Sequence, residues 1–298
     1  MAQATVARTP AQSVTPEAVL EALRVPKAGR VFDLDIGRFN GMPVGSAHTQ
    51  FIVTTYRTPR GLHLQDDQDW LRPDVNMSGW AFLSDLVIGT THSGTHMDAL
   101  CHVNRGIGDQ ATWYGDVKAS ENVGDFGALR DDAAAIPPIV VPGVLLDVAK
   151  TVGRGPLPAH YGIGPDDLAR AAESVPAVPQ GSAVLVRTGH LKHWPDTARM
   201  AESDGAGITL DGAQWIFERY HPVAVGGDTP AVEQGPSSTP GNPAPVHNYL
   251  LRDRGVHILE NVALDGLSAA DATYFLFVCL PLAIHGATGS LIRPIAIV

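Results

Sequence analysis

The chain has little cysteine, a deficit of basic residues and no long apolar run. Cys101 and Cys279 are its only cysteines, too few for a disulfide framework and in keeping with a reducing cytoplasm. Lysine and arginine together number 21 against 31 acidic residues, a formal charge of −10. That balance argues against nucleic acid or an anionic membrane surface as a partner. The longest apolar run, Tyr274 to Ile284, is too short to span a bilayer. The N-terminus lacks the basic stretch and apolar core of a signal peptide. Neither an internal repeat nor a linker divides the sequence. The expectation is a soluble cytoplasmic protein with a mobile segment over residues 1–14 and one domain over 15–298. Of its 298 residues 44% are hydrophobic and 17% charged, a balance that suits a compact enzyme with a substantial core.

Histidine, by contrast, is concentrated. His92, His96 and His102 fall with Asp98 inside eleven residues of a chain that has 12 histidines in all. Neutral imidazole and carboxylate are the usual ligands of Zn²⁺, Mn²⁺ or Fe²⁺. The i, i+4 spacing of His92 and His96 would suit a zinc-binding helix. The β-branched Thr90, Thr91 and Thr95, together with Gly94, argue against one. In a straight strand the two rings would stand about 13 Å apart, near the limit for sharing an ion. The backbone must therefore curl, and Gly94 permits it. His96 and Asp98, two apart, project from one face of an extended chain. His102 requires a further turn. The spacing predicts a strand end running into a ligand-bearing loop.

Elsewhere the pattern is of irregularly spaced strands. Thr15-Pro16-Glu17 reads as the capped start of a helix to Leu23, and residues 31–36 alternate as a half-buried strand. Residues 37–79 are rich in Gly, Pro, Asp and Asn, with a β-prone insert at 51–56. So long an irregular segment reads as a functional loop or lid. Its Trp70, and Trp80 just beyond, could floor an aromatic substrate pocket or merely pack the loop onto the core. Residues 82–89 form a strand that delivers the histidines, and Trp113 and Tyr114 follow closely enough to wall the site. Further strands are expected at 139–148 (bulged or bent at Pro142-Gly143), 183–188, 222–226, 256–260, 274–284 and 291–298. Helices are expected at 164–174 and at 211–220, the second with Thr209 as its N-cap. The result is one α/β domain with a mixed sheet.

Other polar residues are less decisive. His190 and His193 read as surface or loop histidines without a role. From spacing alone His247 and Glu260 are weak candidates. Asp228 and Glu233 could each bind metal or substrate, though an Asp in a Gly-Asp-Thr-Pro turn usually caps its own backbone. Cys101 adjoins His102, but neighbouring ligands supply a nucleophile without it, and Cys279 belongs to a core strand.

The run His92-x-Gly94-Thr95-His96-x-Asp98-x-x-x-His102 resembles the signature of the metal-dependent cyclase-family hydrolases, which include bacterial kynurenine formamidase and isatin hydrolase. Leu100 stands where the usual pattern has proline, as in the isatin-hydrolase-like branch. The likeness extends through Gly226-Gly227-Asp228-Thr229, His247-Asn248-Tyr249, Glu260-Asn261-Val262 and Gly286-Ala287-Thr288-Gly289. It implies a swivelling β/β/α-type fold, an α/β domain whose barrel-like mixed sheet is flanked by helices, assembled as a homodimer or homotetramer. It further implies that His92, His96 and Asp98 hold a divalent ion, Mn²⁺ or Zn²⁺. One or two ions are expected per subunit. His247 and Glu260 would face the same site, Glu260 with a catalytic part, and His102 would be the acid/base. Trp80, Trp113 and Tyr114 are the expected substrate contacts.

Three protein ligands leave coordination positions open, the pattern of a catalytic rather than a structural site. The expected activity is hydrolysis of a small aromatic cyclic amide by metal-activated water, with His102 moving the proton to the leaving nitrogen. N-formylkynurenine, a lactone or an imide are the alternative substrates, and a metal-binding protein without turnover is the non-enzymatic one.

Overall fold

Eleven strands of three or more residues frame the computed structural model, which describes residues 8–65 and 67–298. They are β1 (Val31–Asp33), β2 (Ile52–Arg57), β3 (Ser84–Ile88), β4 (His96–Asp98), β5 (Ile139–Asp147), β6 (Ala183–Arg187), β7 (Ala224–Gly227), β8 (His257–Glu260), β9 (Tyr274–Cys279), β10 (Gly289–Leu291) and β11 (Ile295–Ile297). All but β2 and β3 join one nine-stranded sheet in the order β1-β11-β9-β5-β6-β7-β8-β4-β10. The sheet curls into a half-barrel flanked by helices, a mixed α/β architecture.

The four central strands run parallel, and their sequences show why. Ala183–Arg187 and Ala224–Gly227 are buried almost throughout, as strands covered on both faces must be. Alternation still decides which face each residue serves. Leu145 and Leu185 enter one core with Leu259, Phe275 and Phe277. Val144, Leu146, Val184 and Val186 enter the other, under Leu168 and Ile216. Those last two residues come from helices Pro165–Ala172 and Leu210–Tyr220. The second helix is capped as expected, Thr209 Oγ1 accepting from Gly212 N at 3.3 Å. Thr15 does the same for helix Pro16–Ala22.

Three expectations change. Strand β5 passes Pro142-Gly143 without a bulge, and its pairing with β9 keeps register from Ile139 to Val144. Pro142 is tolerated because pairing with β6 begins only at Gly143, so its missing N–H breaks no ladder on that side. Gly143 is needed for packing, since a Cβ there would stand 2.2 Å from the Phe275 ring. The strand before the histidines does not enter the main sheet: β3 pairs with β2 as a separate antiparallel arm. The expected mobility of residues 1–14 falls partly on 1–7, outside the described residues. Beyond them, Ala11–Ser13 form a 3₁₀ turn whose Ala11 is buried in the core. No helix among the described residues is long and apolar enough to cross a membrane.

Gly143→Ala is expected to cost on the order of 1–3 kcal/mol through overpacking against Phe275. Thermal unfolding would show it as a lowered Tm with an unchanged circular dichroism spectrum; an unshifted Tm would mean the ring yields freely.

Candidate metal centre

Strand β4 is only three residues long, fully buried, and wedged between β8 and β10. Its pairing sets the site. His96 lies opposite Glu260 and Met97 opposite Leu259 on β8, while Asp98 lies opposite Gly289 on β10. Alternation turns Met97 into the core and leaves His96, Asp98 and Glu260 together on the other face. Gly94, at φ +60°, makes the curl that brings His92 round. The loop is gripped from behind by Arg38, which donates to Ser93 O at 3.0 Å and to Thr95 O while pairing with Asp35 at 3.2 Å. Gly289 makes room for the His92 ring, because a Cβ there would meet its Cε1 at 2.7 Å.

Three imidazoles are each anchored through one nitrogen, leaving the other free to face inward. His92 Nε2 bonds Thr288 Oγ1 at 2.9 Å, His96 Nδ1 donates to Gly94 O at 2.8 Å, and His247 Nδ1 bonds the Glu233 carboxylate. Their free nitrogens converge. His92 Nδ1 stands 3.0 Å from Asp98 Oδ1, and His96 Nε2 stands 3.7 Å from the same oxygen and 3.2 Å from Glu260 Oε2. His247 Nε2 stands 3.2 Å from Glu260 Oε1 and 3.8 Å from Asp98 Oδ2. Outward anchoring of this kind fixes tautomer and ring orientation in metal sites. Two triads share Asp98: His92, His96 and Asp98; and Asp98, His247 and Glu260, with ligand atoms within 4.8 Å of one another. The sharpest sign is Asp98 itself. It is 1% exposed, and although His92 Nδ1 lies 3.0 Å from Oδ1, neither carboxylate oxygen has a well-aligned hydrogen-bond donor among the described residues. A buried carboxylate left so is costly, and a divalent cation among nitrogen and oxygen donors meets that need.

The charges behave accordingly. Burial alone would raise the Asp98 carboxyl, but the imidazoles of His102, His92 and His96 hold it well below the usual carboxylate range. Burial likewise opposes the ionised form of Glu260, which His247 and His96 nonetheless hold low. Burial disfavours protonated His96 and His247 as well, yet Glu260 raises the first and Glu233 with Glu260 raise the second well above the ordinary value. His102 is pushed down to about 4, chiefly by burial and against the pull of Asp98.

The cluster opens into a cleft of about 200 Å³, whose wall includes His92, His96 and Glu260. A larger hollow of about 340 Å³ beside Asp147, Lys150 and Arg170 has no convergent ligand set, so chemistry favours the smaller cleft. His102 is not on the cleft wall; its ring stacks on His92 at 4.1 Å. His48, which sequence reasoning overlooked, is on the wall and stacks on the same ring at 5.0 Å. Its only sequence signal was membership of the irregular 37–79 segment.

The three aromatic substrate contacts expected from sequence lie elsewhere. Trp80 packs with Trp70 at 5.4 Å on the β2–β3 arm, half exposed. Trp113 is 1% exposed in the core and donates to Asp131 at 2.8 Å. Tyr114 packs beside Gly255. The chain simply leaves the site after His102. Asp228 neither faces the cluster nor caps its own backbone, but accepts from Thr188 and Gly189 at the end of β6. His190 is buried rather than on the surface, its Nδ1 2.8 Å from Ser203 Oγ. His257, unmentioned by any motif, fixes β4 through Asp98 O at 2.9 Å. Burial pushes both thiols up to about 12, so neither offers a thiolate near neutrality.

Fold and site together define a metal-binding α/β half-barrel. The family model for Cyclase matches residues 33–234, more than half of the chain, and the chain belongs to that family. Cyclase-like protein 2 of Arabidopsis thaliana is 28% identical over 231 residues, which are 76% of this chain and 70% of that protein. Among solved structures, one of a novel cyclase matches with TM-score 0.82 and 28% identity, covering 98% of this chain and 94% of that one. Isatin hydrolase A from Ralstonia solanacearum shares the fold at TM-score 0.63 and 22% identity, covering 95% of this chain and 98% of its own.

A pH prediction follows from the raised imidazoles. His96 and His247 hold their protons more tightly than an ordinary imidazole because of Glu260 and Glu233, and a cation must displace those protons to bind. Apparent Zn²⁺ affinity should therefore rise with pH, with net proton release seen by calorimetry in buffers of different ionisation enthalpy. An affinity flat between pH 6 and 8 would contradict this ligand set.

Proposed function

We propose that the chain is a metal-dependent hydrolase acting on a small, aromatic cyclic amide, with isatin as the first substrate to test. The observation that carries this reading is the buried Asp98 carboxylate, without a hydrogen-bond partner among the described residues and ringed by anchored imidazoles, beside a small cleft that His92, His96 and Glu260 line. A shared fold with isatin hydrolases and Leu100 in the histidine motif add support.

In this reading His92, His96 and Asp98 hold the principal ion, and His247 and Glu260 hold a second ion or orient the first. A divalent ion bound there supplies Lewis acidity and lowers the pKa of water to about 7. The protein's own residues do the rest. The cleft, about 200 Å³, has room for a small planar molecule. His102, neutral near pH 7 because burial pushes it down to about 4, accepts a proton from the attacking water. It returns that proton to the leaving nitrogen as the C–N bond breaks, giving an amine and a carboxylic acid that releases its proton to solvent as it ionises. Glu233 keeps His247 turned inward through its Nδ1. His48 is the second candidate for the proton-handling part, favoured by its place on the cleft wall. The reading also has the protein acting in the cytoplasm on a small molecule alone, as a homodimer or homotetramer.

Absorbance-followed hydrolysis of isatin beside N-formylkynurenine, with Mn²⁺- and Zn²⁺-loaded protein, tests the reaction. Ring opening of isatin alone supports the cyclic-amide reading; formamide cleavage alone replaces it with the arylformamidase alternative; inactivity on both, and on lactones and imides, contradicts it. His102→Ala should keep its metal and lose roughly 10²–10⁴-fold in turnover, with His48→Ala milder. The reverse order would move the role to His48.

A further inference from the structure

The cleft wall is lined by two chemically distinct sets of residues. One is polar, the imidazoles with Glu260 and Asn261. The other is apolar: Pro43, Val44, Trp194, Met200 and Pro230. Among the described residues, Trp194 is the only aromatic ring on that wall besides the imidazoles. It is partly buried, and Phe39 meets it edge-on at 6.2 Å.

Its position is fixed from below. Trp194 ends the turn His190–His193, and its N–H donates to Leu191 O at 3.0 Å. The start of that turn is tied to β7, because Asp228, 1% exposed, accepts from Thr188 N, Thr188 Oγ1 and Gly189 N at 2.7 Å each. His190 locks the turn to Ser203, and Met200 close by is buried on the same wall. Two residues beyond Asp228, Pro230 joins the rim. One buried carboxylate thus ties the backbone leading to Trp194 to the strand end leading to Pro230, a rigid support for the indole.

Resting on the hydrolase reading, we propose that Trp194 is the specificity-determining residue of this cleft. A flat apolar ring of the substrate lies against its indole while the carbonyl to be cleaved faces the Asp98 cluster. The substrates selected are aromatic-fused cyclic amides over aliphatic lactams of the same ring size. An indole supplies a large, rigid apolar face, and contact with a second aromatic ring adds to simple burial.

The chain has five tryptophans. Trp70 and Trp80 are on the arm, Trp113 is in the core and Trp215 is on helix Leu210–Tyr220. All five emit, so the quench that is present in wild type and Trp215→Phe and lost in Trp194→Phe is the part that reports Trp194. Zn²⁺-loaded wild type, Trp194→Phe, Trp194→Ala and Trp215→Phe would be titrated with 2-oxindole and with 2-pyrrolidinone, following indole emission and calorimetric heat. Wild type and Trp215→Phe should bind 2-oxindole with quenching and prefer it over 2-pyrrolidinone. Trp194→Phe should keep binding but lose the quench, and Trp194→Ala should bind about tenfold more weakly with unchanged zinc content. Unaltered binding by Trp194→Ala would overturn the proposal, as would a wild type that ignores 2-oxindole or does not prefer it. If wild type binds with quenching but hydrolyses no lactam, imide, ester or formamide, the hydrolase reading falls while the Trp194 assignment stands.

Discussion

A single buried charge organises this molecule. Asp98 sits on a three-residue strand inside the sheet, 1% exposed, with no hydrogen-bond donor aligned on either carboxylate oxygen among the described residues. A charge so placed must be met by cations or the strand would be a liability. Many nearby features of the fold meet it. Strand β8 lays Glu260 across from His96, Gly94 and Gly289 clear the path of His92, and Thr288, Gly94 O and Glu233 each hold one imidazole by its outer nitrogen. The cost is concentrated in backbone geometry at the rim. Asn261, directly after Glu260, adopts φ +53°, which asparagine tolerates better than most residues. There its carbonyl receives Thr95 Oγ1 at 2.7 Å.

What was legible in the sequence was local. The two-residue spacing of His96 and Asp98 fixed their shared face, Gly94 announced the curl, and Thr15 and Thr209 announced their helices. His247 and Glu260 could not be read from spacing, because their approach depends on the antiparallel pairing of β8 with β4 across most of the chain. Only the family resemblance reached them. Glu233 was visible as a carboxylate in a loop, but its partner His247 lies beyond a Gly/Pro/Ser-rich stretch with no periodicity to follow.

The aromatic contacts show how nearness along the chain misleads. Trp113 and Tyr114 follow the histidines closely, yet the backbone turns away after His102 and sends them into packed core. Trp80 precedes the histidines, yet β3 pairs with β2 outside the main sheet. Trp194 stands about a hundred residues from the histidines and reaches the cleft because β6 and β7 are neighbours and Asp228 ties their ends. His48 arrives from the long irregular segment, whose first part does border the cleft. The rest of that segment builds the arm.

The most direct measurement is anomalous diffraction at the zinc and manganese edges from crystals of the metal-loaded protein. Convergence on Asp98 predicts a peak bonded to His92 Nδ1, His96 Nε2 and an Asp98 oxygen at about 2.0–2.2 Å. A second peak, if two ions bind, would lie between Asp98, His247 and Glu260. A peak elsewhere, or none at Asp98 with metal in excess, would contradict a metal centre built around this carboxylate.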